Sequence, residues 1–590
     1  MDNTEKKRRL LEAENEFLIL ERSKYQRKLC HILENRLGEI GKKLSCYLQK
    51  LCRKEKNIQL MSSEGTSVEP QTETFQTKAA SLHELKVAAI MDEFSLNCFR
   101  PECNLLEISP DNFKEEMDMF QPDLLLVESA GKGNHGLWEK KIAYGSREYF
   151  ALVRYCYDKN IPVVFWNKED PVHYEEFLIV AKTADYVFTT DVDSILNYCK
   201  DLGHDRVYHM HFAAQPQIHN PIEKYDRQDK ICFAGAYYRG FKKRAEAFDK
   251  FAEAFIATKG LDIYDREYGK KRSPYRFPSK YKPYILGRLS PEEIDKAYKG
   301  YNYGLNMNTV TDSVSMFARR VFELMASNTV SIGNYAKGLE NYFQELTICT
   351  DDVEDMKQKL QKYCGDEASL HKYRLLGLRK ILSEHLYEDR LNSIVEKVFQ
   401  VSLKKELPVV TVISQARTAK ECQWIIKEFR EQVYERKKLI LFYDDRIITE
   451  NNLEGDVRKQ AIDRAISEMV SEGYVAYFHP DDYYAPAYLY DMIYTLRYCE
   501  ADVIGKCTYY RMENEQLHKN GEKVYQYFDA VASRRAIQRI ELVKEMTFDT
   551  YIQKDVVCEA SVFCIDEWNY CENTNGCKNE NIIDRYPLAL

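Results

Sequence analysis

From Leu85 the chain alternates short apolar runs with longer amphipathic stretches: LKVAAI, PDLLLVES, IPVVFWNKEDP, DYVFTTD and VYHMHFA. Runs of that length between helical-period stretches predict βα units on a parallel sheet over residues 84–220. After the polar NPIEKYDRQDK a second series begins: KICFAGAYYRG, GLDIYD, YNYGLNMN, NTVSIGNY and ELTICTDD, ending in helical sequence near Gln400. It predicts a second Rossmann-like domain over 228–400. A third pattern, LPVVTVISQ, TAKECQWIIKEFREQV, KKLILFYDD, GYVAYFHPDDYYAP and ADVIGKCTYY, predicts a separate domain over 408–590. The fold class is therefore α/β throughout.

Upstream the period changes. Leu33, Leu37, Ile40, Leu44, Tyr47 and Leu51 repeat at 4-3-4-3-4, after a stripe of Leu11, Leu18, Tyr25, Leu29 and Ile32 that is one residue out of phase. This predicts a coiled-coil helix over 1–56 with a register shift, and a homo-oligomer built through it. The segment carries 15 basic and 9 acidic residues, so peripheral contact with anionic lipid is the alternative to a solvated oligomerising helix. Residues 57–82 are rich in Ser, Thr, Glu and Gln, with no sustained apolar period, and read as a linker.

Composition narrows the classes. A chain of 590 residues is too long for one core, and 44% hydrophobic with 30% charged residues excludes a mostly disordered protein. The net charge of −8 gives no general attraction to nucleic acid. No run reaches the ~18 apolar residues of a membrane helix, and the N-terminus lacks a signal-peptide core. The expected location is the cytoplasm, with contact at the inner face of the membrane as the variant. Seventeen cysteines without a CxxC pair predict reduced thiols. Cys558, Cys564, Cys571 and Cys577 are spaced more widely than close zinc-ligand pairs.

Six ordered blocks carry a resemblance: MDEFS (91–95), PDLLLVESAGKGNHGLW (122–138), IPVVFWNKEDPVHYEEF (161–177), DYVFTTD (185–191), ICFAGAYYRGFKKR (231–244) and FARRVFELMASNTVSIGNY (317–335). Residues 84–400 resemble the CgeB-like, spore-maturation-type bacterial glycosyltransferases. The resemblance implies a GT-B architecture: two facing Rossmann-like domains, a nucleotide-sugar donor held mainly by the second, and acceptor and catalytic groups mainly from the first. Gly235 then ends a strand where backbone approaches the donor, and Arg239, Lys242, Lys243 and Arg244 surround the following helix start, chemistry suited to a diphosphate without a metal. Arg319 or Arg320 shares a helical face with Glu323. Glu323 matches the family's ribose-binding acid, and Arg320 would reach the phosphates. Many relatives follow that glutamate with a small-x-Gly step; here stand Ala326, Ser327 and Asn328. At the strand ends of the first domain, Glu128, Glu169, Asp170 and His173 are four candidates for a general base toward the acceptor hydroxyl if configuration inverts.

The third pattern resembles the nucleotide-binding half of family-two, GT-A-type glycosyltransferases. That resemblance puts Asp444 or Asp445 on the nucleobase, and Asp481 and Asp482 of His479-Pro480-Asp481-Asp482 on a Mg²⁺ or Mn²⁺ ion. The first acid of that turn is a histidine, a poorer ligand for a hard cation, so a degenerate domain that recognises glycan or organises partners competes with a second active transferase. The expected activity is transfer of a hexosyl or N-acetylhexosaminyl group from a nucleotide sugar to a cell-surface polysaccharide, lipid-linked or protein acceptor. No cofactor is expected at the GT-B site. The alternatives are a bifunctional transferase and a non-catalytic glycan-binding or scaffolding protein. An NAD enzyme is disfavoured, since neither Rossmann-like domain opens with GxGxxG.

Overall fold

The computed structural model describes residues 6–25, 28, 75–270, 272–443, 464–553, 556–557 and 560–574. In the first two sheets the strands coincide with the apolar runs except Asn104–Glu107 and Ile285–Gly287, two edge strands that no run marked. The first sheet contains β1 (Lys86–Ile90), β2 (Asn104–Glu107), β3 (Leu124–Glu128), β4 (Val163–Asn167), β5 (Tyr186–Thr189) and β6 (Val207–His209), in the order β2-β1-β3-β4-β5-β6 with every pair parallel. All five residues of β3 and of β4 are buried, because helices cover both faces of a parallel sheet and no side can be polar. The second sheet contains β7 (Gln228–Gly235), β8 (Leu261–Asp265), β9 (Ile285–Gly287), β10 (Tyr301–Asn306), β11 (Val330–Gly333) and β12 (Ile348–Cys349), in the order β12-β11-β10-β7-β8-β9, again all parallel. That is the doubly wound order, with its switch between β7 and β10.

The third domain centres on a seven-stranded mixed sheet. Lys437–Tyr443, Val410–Ala416 and Tyr474–Phe478 run parallel, and Ala536–Arg539 is antiparallel to its neighbours Tyr474–Phe478 and Val503–Gly505.

The described residues form two compact units, one comprising those up to Phe212 with Asp312–Met316 and Tyr387–Lys404, the other the rest. The expected 228–400 domain is therefore divided. Helix Tyr387–Phe399 belongs with the first sheet, where Tyr387 meets Phe99 edge-on at 5.0 Å and Arg390 donates to the carbonyl oxygens of His211 and Phe212. The third domain is not separate either, for it shares the second unit. The Arg379 guanidinium grips Asp491 with two hydrogen bonds of 2.7 Å, and His371 lies 2.8 Å from Glu567.

The N-terminal expectation also changes. Residues 6–25 are helical, but instead of standing free they lie on the first sheet's helices. Leu10, Ala13 and Phe17 join the core of that unit, Phe17 packs 5.4 Å from Phe150, and Lys6 pairs with buried Asp185 at 3.1 Å. The buried face is Leu10, Ala13 and Phe17, whereas Leu11, Leu18 and Tyr25 of the expected stripe are exposed. Residues 29–56, which carry the regular 4-3 repeat, lie outside the described residues, as does the expected linker up to residue 74; Phe75 and Leu82 at its end are buried. Phe17→Ala should lower the stability of the first unit by about 3 kcal/mol through lost burial and a cavity, measured by chemical denaturation. An unchanged midpoint would show the helix is dispensable to the core.

Candidate active site

At the carboxyl edge of the first sheet the chain reverses its winding between β1 and β3, where open α/β sheets bind ligands. Asp92 follows β1, Glu128 ends β3 and Lys168 follows β4. Lys168 contacts both carboxylates, Asp92 at 3.0 Å and Glu128 in a close ion pair. Glu128 is fully buried, its oxygens taken by Lys168, the Ser95 hydroxyl and the Asp92 N–H. It holds the edge together rather than facing an acceptor. Asp92 accepts from the N–H groups of Gly131, Lys132 and Gly133 at 2.9 to 3.1 Å, which folds the Gly-Lys-Gly-Asn loop over the edge. Gly133 has φ of 56°, and a Cβ there would lie 2.8 Å from that of Trp138, so the turn requires glycine. Burial would raise the Asp92 pKa, but Lys168 and the loop N–H groups outweigh it and hold the carboxyl down at about 2. Burial works against the Lys168 ammonium, yet the two carboxylates prevail and raise its pKa. Asp92 was hidden in MDEFS; nothing in the motif marked it apart from its place after a strand.

The remaining candidates on this edge differ sharply. Asp170 precedes Pro171 across a cis peptide bond. It is fully buried and accepts from Asn167 (2.8 Å), Thr189 (2.6 Å) and Tyr198 (3.2 Å). Burial raises its pKa to about 7 against the bonds from Thr189 and Tyr198. Between about 4 and 7 the folded chain therefore holds a proton that the unfolded chain has lost, so this group makes stability fall as pH rises through that window, with no further change above it. Asp170→Asn should remove about 2 to 3 kcal/mol of slope between pH 5 and 7, read from denaturant midpoints at the two pH values. His173 caps helix Tyr174–Ala181 and is paired with Glu176 at 3.0 Å. Glu169 alone among the four has an exposed side chain without an ion pair among the described residues. Desolvation by surrounding protein raises its pKa, opposed by Lys168 and His173. A polar cleft of about 390 Å³ opens at the other, amino ends of β3 and β4 beside Asp123, Lys159 and Pro162, away from these groups.

On the second sheet, β7 ends at Gly235, and helix Lys242–Ile256 follows. Three guanidinium groups converge on Tyr238. Arg266 donates to its hydroxyl at 2.9 Å, Arg244 stacks 3.9 Å from its ring centre and donates to Thr309 at 2.8 Å, and Arg320 lies over the Phe233 ring. A Cβ on Gly235 would stand 3.5 Å from Arg320 and 2.8 Å from Phe233, so the glycine keeps the strand end open beside the guanidinium. Burial lowers the Arg244 pKa to about 10, with Arg320 and Arg266 adding to the fall and Tyr238 opposing it. For Tyr238 burial acts upward, but the three arginines prevail and lower its pKa. Arg320 Nε is buried without a hydrogen-bond partner among the described residues. Arg239 and Lys243 are exposed just outside this cluster.

Glu323 is buried, 4% exposed, and receives Arg319 at 3.1 Å and the Tyr298 hydroxyl at 2.7 Å. So Arg319 takes the shared helical face with Glu323, whereas Arg320 turns toward β7. Asn328, in the place of the relatives' glycine, takes φ of 55°, a left-handed conformation asparagine tolerates. Tyr238, Arg266 and Tyr298 were not singled out in the sequence; Arg266 lies after a different strand, and only folding brings it to Tyr238.

In the third domain both carboxylates of the acidic turn are taken by arginines. Asp482 is fully buried and held by Arg534, with Nε donating at 2.6 Å and Nη2 closing a second contact. The Tyr570 hydroxyl (2.7 Å) and the Asn573 N–H (2.9 Å) complete its shell. Asp481 is paired with Arg417 at 2.9 Å. The guanidinium occupies the carboxylate that a metal would need, and among the described residues no group of three or more His, Cys, Asp or Glu is placed to hold an ion. Asp444 and Asp445 lie outside the described residues, as do Cys558 and Cys577; Cys564 contacts Cys507 at 2.6 Å.

Comparison with known proteins bears out the resemblance to CgeB-like glycosyltransferases. Residues 249–396 match the family model described as "Glycosyl transferase-like". Spore protein CgeB of Bacillus subtilis (strain 168) is 21% identical over 222 residues, covering 36% of this chain and 63% of that protein, so the chain spans less than two thirds of this relative's length. Among solved structures, sucrose-phosphate synthase from Thermosynechococcus elongatus aligns at 14% identity and TM-score 0.34, over 49% of this chain and 76% of that one. An alpha-glucosyltransferase in complex with UDP and a 13-mer DNA aligns at 12% and 0.36, over 51% and 86%. TarM aligns at 11% and 0.33, over 47% and 54%. Among the described residues, no helix is long and apolar enough to cross a membrane.

Proposed function

We propose that the chain transfers a hexose or N-acetylhexosamine from a nucleotide-sugar donor to a glycan or glycoprotein acceptor of the cell surface, working in the cytoplasm. The observation that carries the reading is the arginine cluster at the end of β7. Among the described residues Arg244, Arg266 and Arg320 form no ion pair with a carboxylate. A diphosphate supplies the missing anion, and guanidinium groups then offset leaving-group charge without a metal. Arg239 and Lys243 add positive potential at the approach. Glu323 takes ribose hydroxyls on the lone pairs that Arg319 and Tyr298 leave. Glu169 is the general base on the acceptor side: it is the exposed member of the first edge, and a pKa raised by desolvation makes it a stronger base than an ordinary glutamate. Asp92, held near 2, is too weak a base, and Glu128 and Asp170 are sealed from an acceptor.

The test is incubation of the full chain with a panel of nucleotide sugars and detection of released nucleotide, with and without EDTA. Turnover that survives EDTA is expected. Arg320→Met should raise the donor KM about 30- to 160-fold, the loss of one charge-assisted contact of ~2 to 3 kcal/mol made to ground and transition state alike. A folded protein that releases nucleotide from no donor would end the reading. For the third domain, the Arg534–Asp482 pair supports a retained fold for recognising glycan or organising partners over a second metal-dependent transferase.

A further inference from the structure

Residues 266–288, from the end of β8 through β9, carry eight Lys or Arg and one acid, Glu267, in a chain whose net charge is −8. The segment also holds five Tyr or Phe. It is fastened to the arginine cluster: the Tyr237 N–H donates to the Tyr275 carbonyl at 2.9 Å, the Tyr238 and Tyr275 rings lie 5.0 Å apart, and Arg266 binds the Tyr238 hydroxyl. Some of its charge is already used. Lys270 pairs with Glu267, and Lys280 with Asp249 and Glu253. Arg272, Lys282 and Arg288 are exposed and form no ion pair among the described residues. Tyr268 and Tyr275 present their rings at 58% and 39% exposure.

We infer that this segment is the landing surface for an anionic glycan acceptor, a polymer that repeats carboxylate or phosphate along its chain. The inference rests on the proposed transferase reading and extends it to the acceptor. Charge counting favours a polymer over a second single anion. A donor diphosphate is met by Arg244, Arg266 and Arg320, which leaves Arg272, Lys282 and Arg288 in excess and spread along the segment. Cations held apart on a surface gain most from a ligand whose charges are also spaced, because each neutralised site releases counterions independently. Exposed tyrosine rings add apolar faces on which sugar rings pack. Against the overall negative charge, such a local positive field also concentrates a polyanion beside the donor's phosphate site.

The test uses the full chain without donor and end-labelled polygalacturonate, with end-labelled long-chain polyphosphate as a second arm and neutral dextran as control, followed by fluorescence anisotropy across a salt series. The charge-reversal variant Arg272→Glu/Lys282→Glu/Arg288→Glu changes none of the residues assigned to donor or base. It should weaken binding of at least one polyanion tenfold or more and flatten the log–log salt dependence by about two, as expected for three lost contacts, while dextran stays unbound. The arm that responds distinguishes a carboxylate from a phosphate polymer. Binding within twofold of the unaltered chain overturns the inference, as does a variant defect confined to phosphatidylglycerol vesicles, which would make the surface a membrane contact. Nucleotide release without acceptor is measured on the same variant and should be unchanged. If the unaltered chain releases no nucleotide, the transferase reading falls, whereas the polymer-binding result is read independently of it.

Discussion

Glu169→Gln should lower turnover of the transfer reaction by about 10²- to 10⁴-fold with a small change in donor KM, the range over which a positioned base contributes. The amide is nearly isosteric and the residue is exposed, so the fold is spared. Only the ability to accept the acceptor's proton is removed. With acceptor present, the acid limb of kcat/KM for the unaltered chain should lie above the ordinary glutamate range, because desolvation outweighs the pull of Lys168 and His173, and that limb should vanish in the variant. Glu128→Gln provides the contrast. It leaves Lys168 facing one carboxylate instead of two, so its signature should be loss of stability. Full activity in Glu169→Gln would move the base to another residue.

Asp482→Ala should destabilise the third domain by about 3 to 5 kcal/mol, since it strands the Arg534 guanidinium without its partner in a largely buried site. A metal ligand would respond differently, because its loss would leave the apo fold intact and abolish a chelator effect. Here EDTA should shift neither the melting transition nor nucleotide release. Asp482→Leu combined with Arg534→Met should recover much of the loss, as replacing both members of a buried ion pair by apolar groups often does. If Asp482→Ala proves harmless to folding while EDTA abolishes transfer, the turn binds a metal in solution and the principal chemistry belongs to the third domain.

Period and composition were enough for the inner strands of the two parallel sheets, because strands covered on both faces must be apolar throughout, and runs such as LLLVE and VVFWN admit few other placements, whereas the half-exposed edge strands Asn104–Glu107 and Ile285–Gly287 left no such mark. The same logic located Gly235 and the carboxylates at strand ends, where a βα turn must come. What the pattern could not supply was the partner of each group. The stripe over residues 6–25 named Leu11, Leu18 and Tyr25, which stay exposed, and tertiary packing instead buried Leu10, Ala13 and Phe17 against the chain's own first unit. Helix Tyr387–Phe399 follows the second domain in sequence, yet its apolar face is satisfied by Phe99 and its neighbours. At the sites the gap is electrostatic. Arg266 reaches Tyr238 from another βα unit, Lys168 bridges two carboxylates from different strands, and Arg534 closes on Asp482 across 52 residues. Residue type shows that a buried charge needs a counterpart, because desolvation is costly; which counterpart arrives is decided by where the loops set it down.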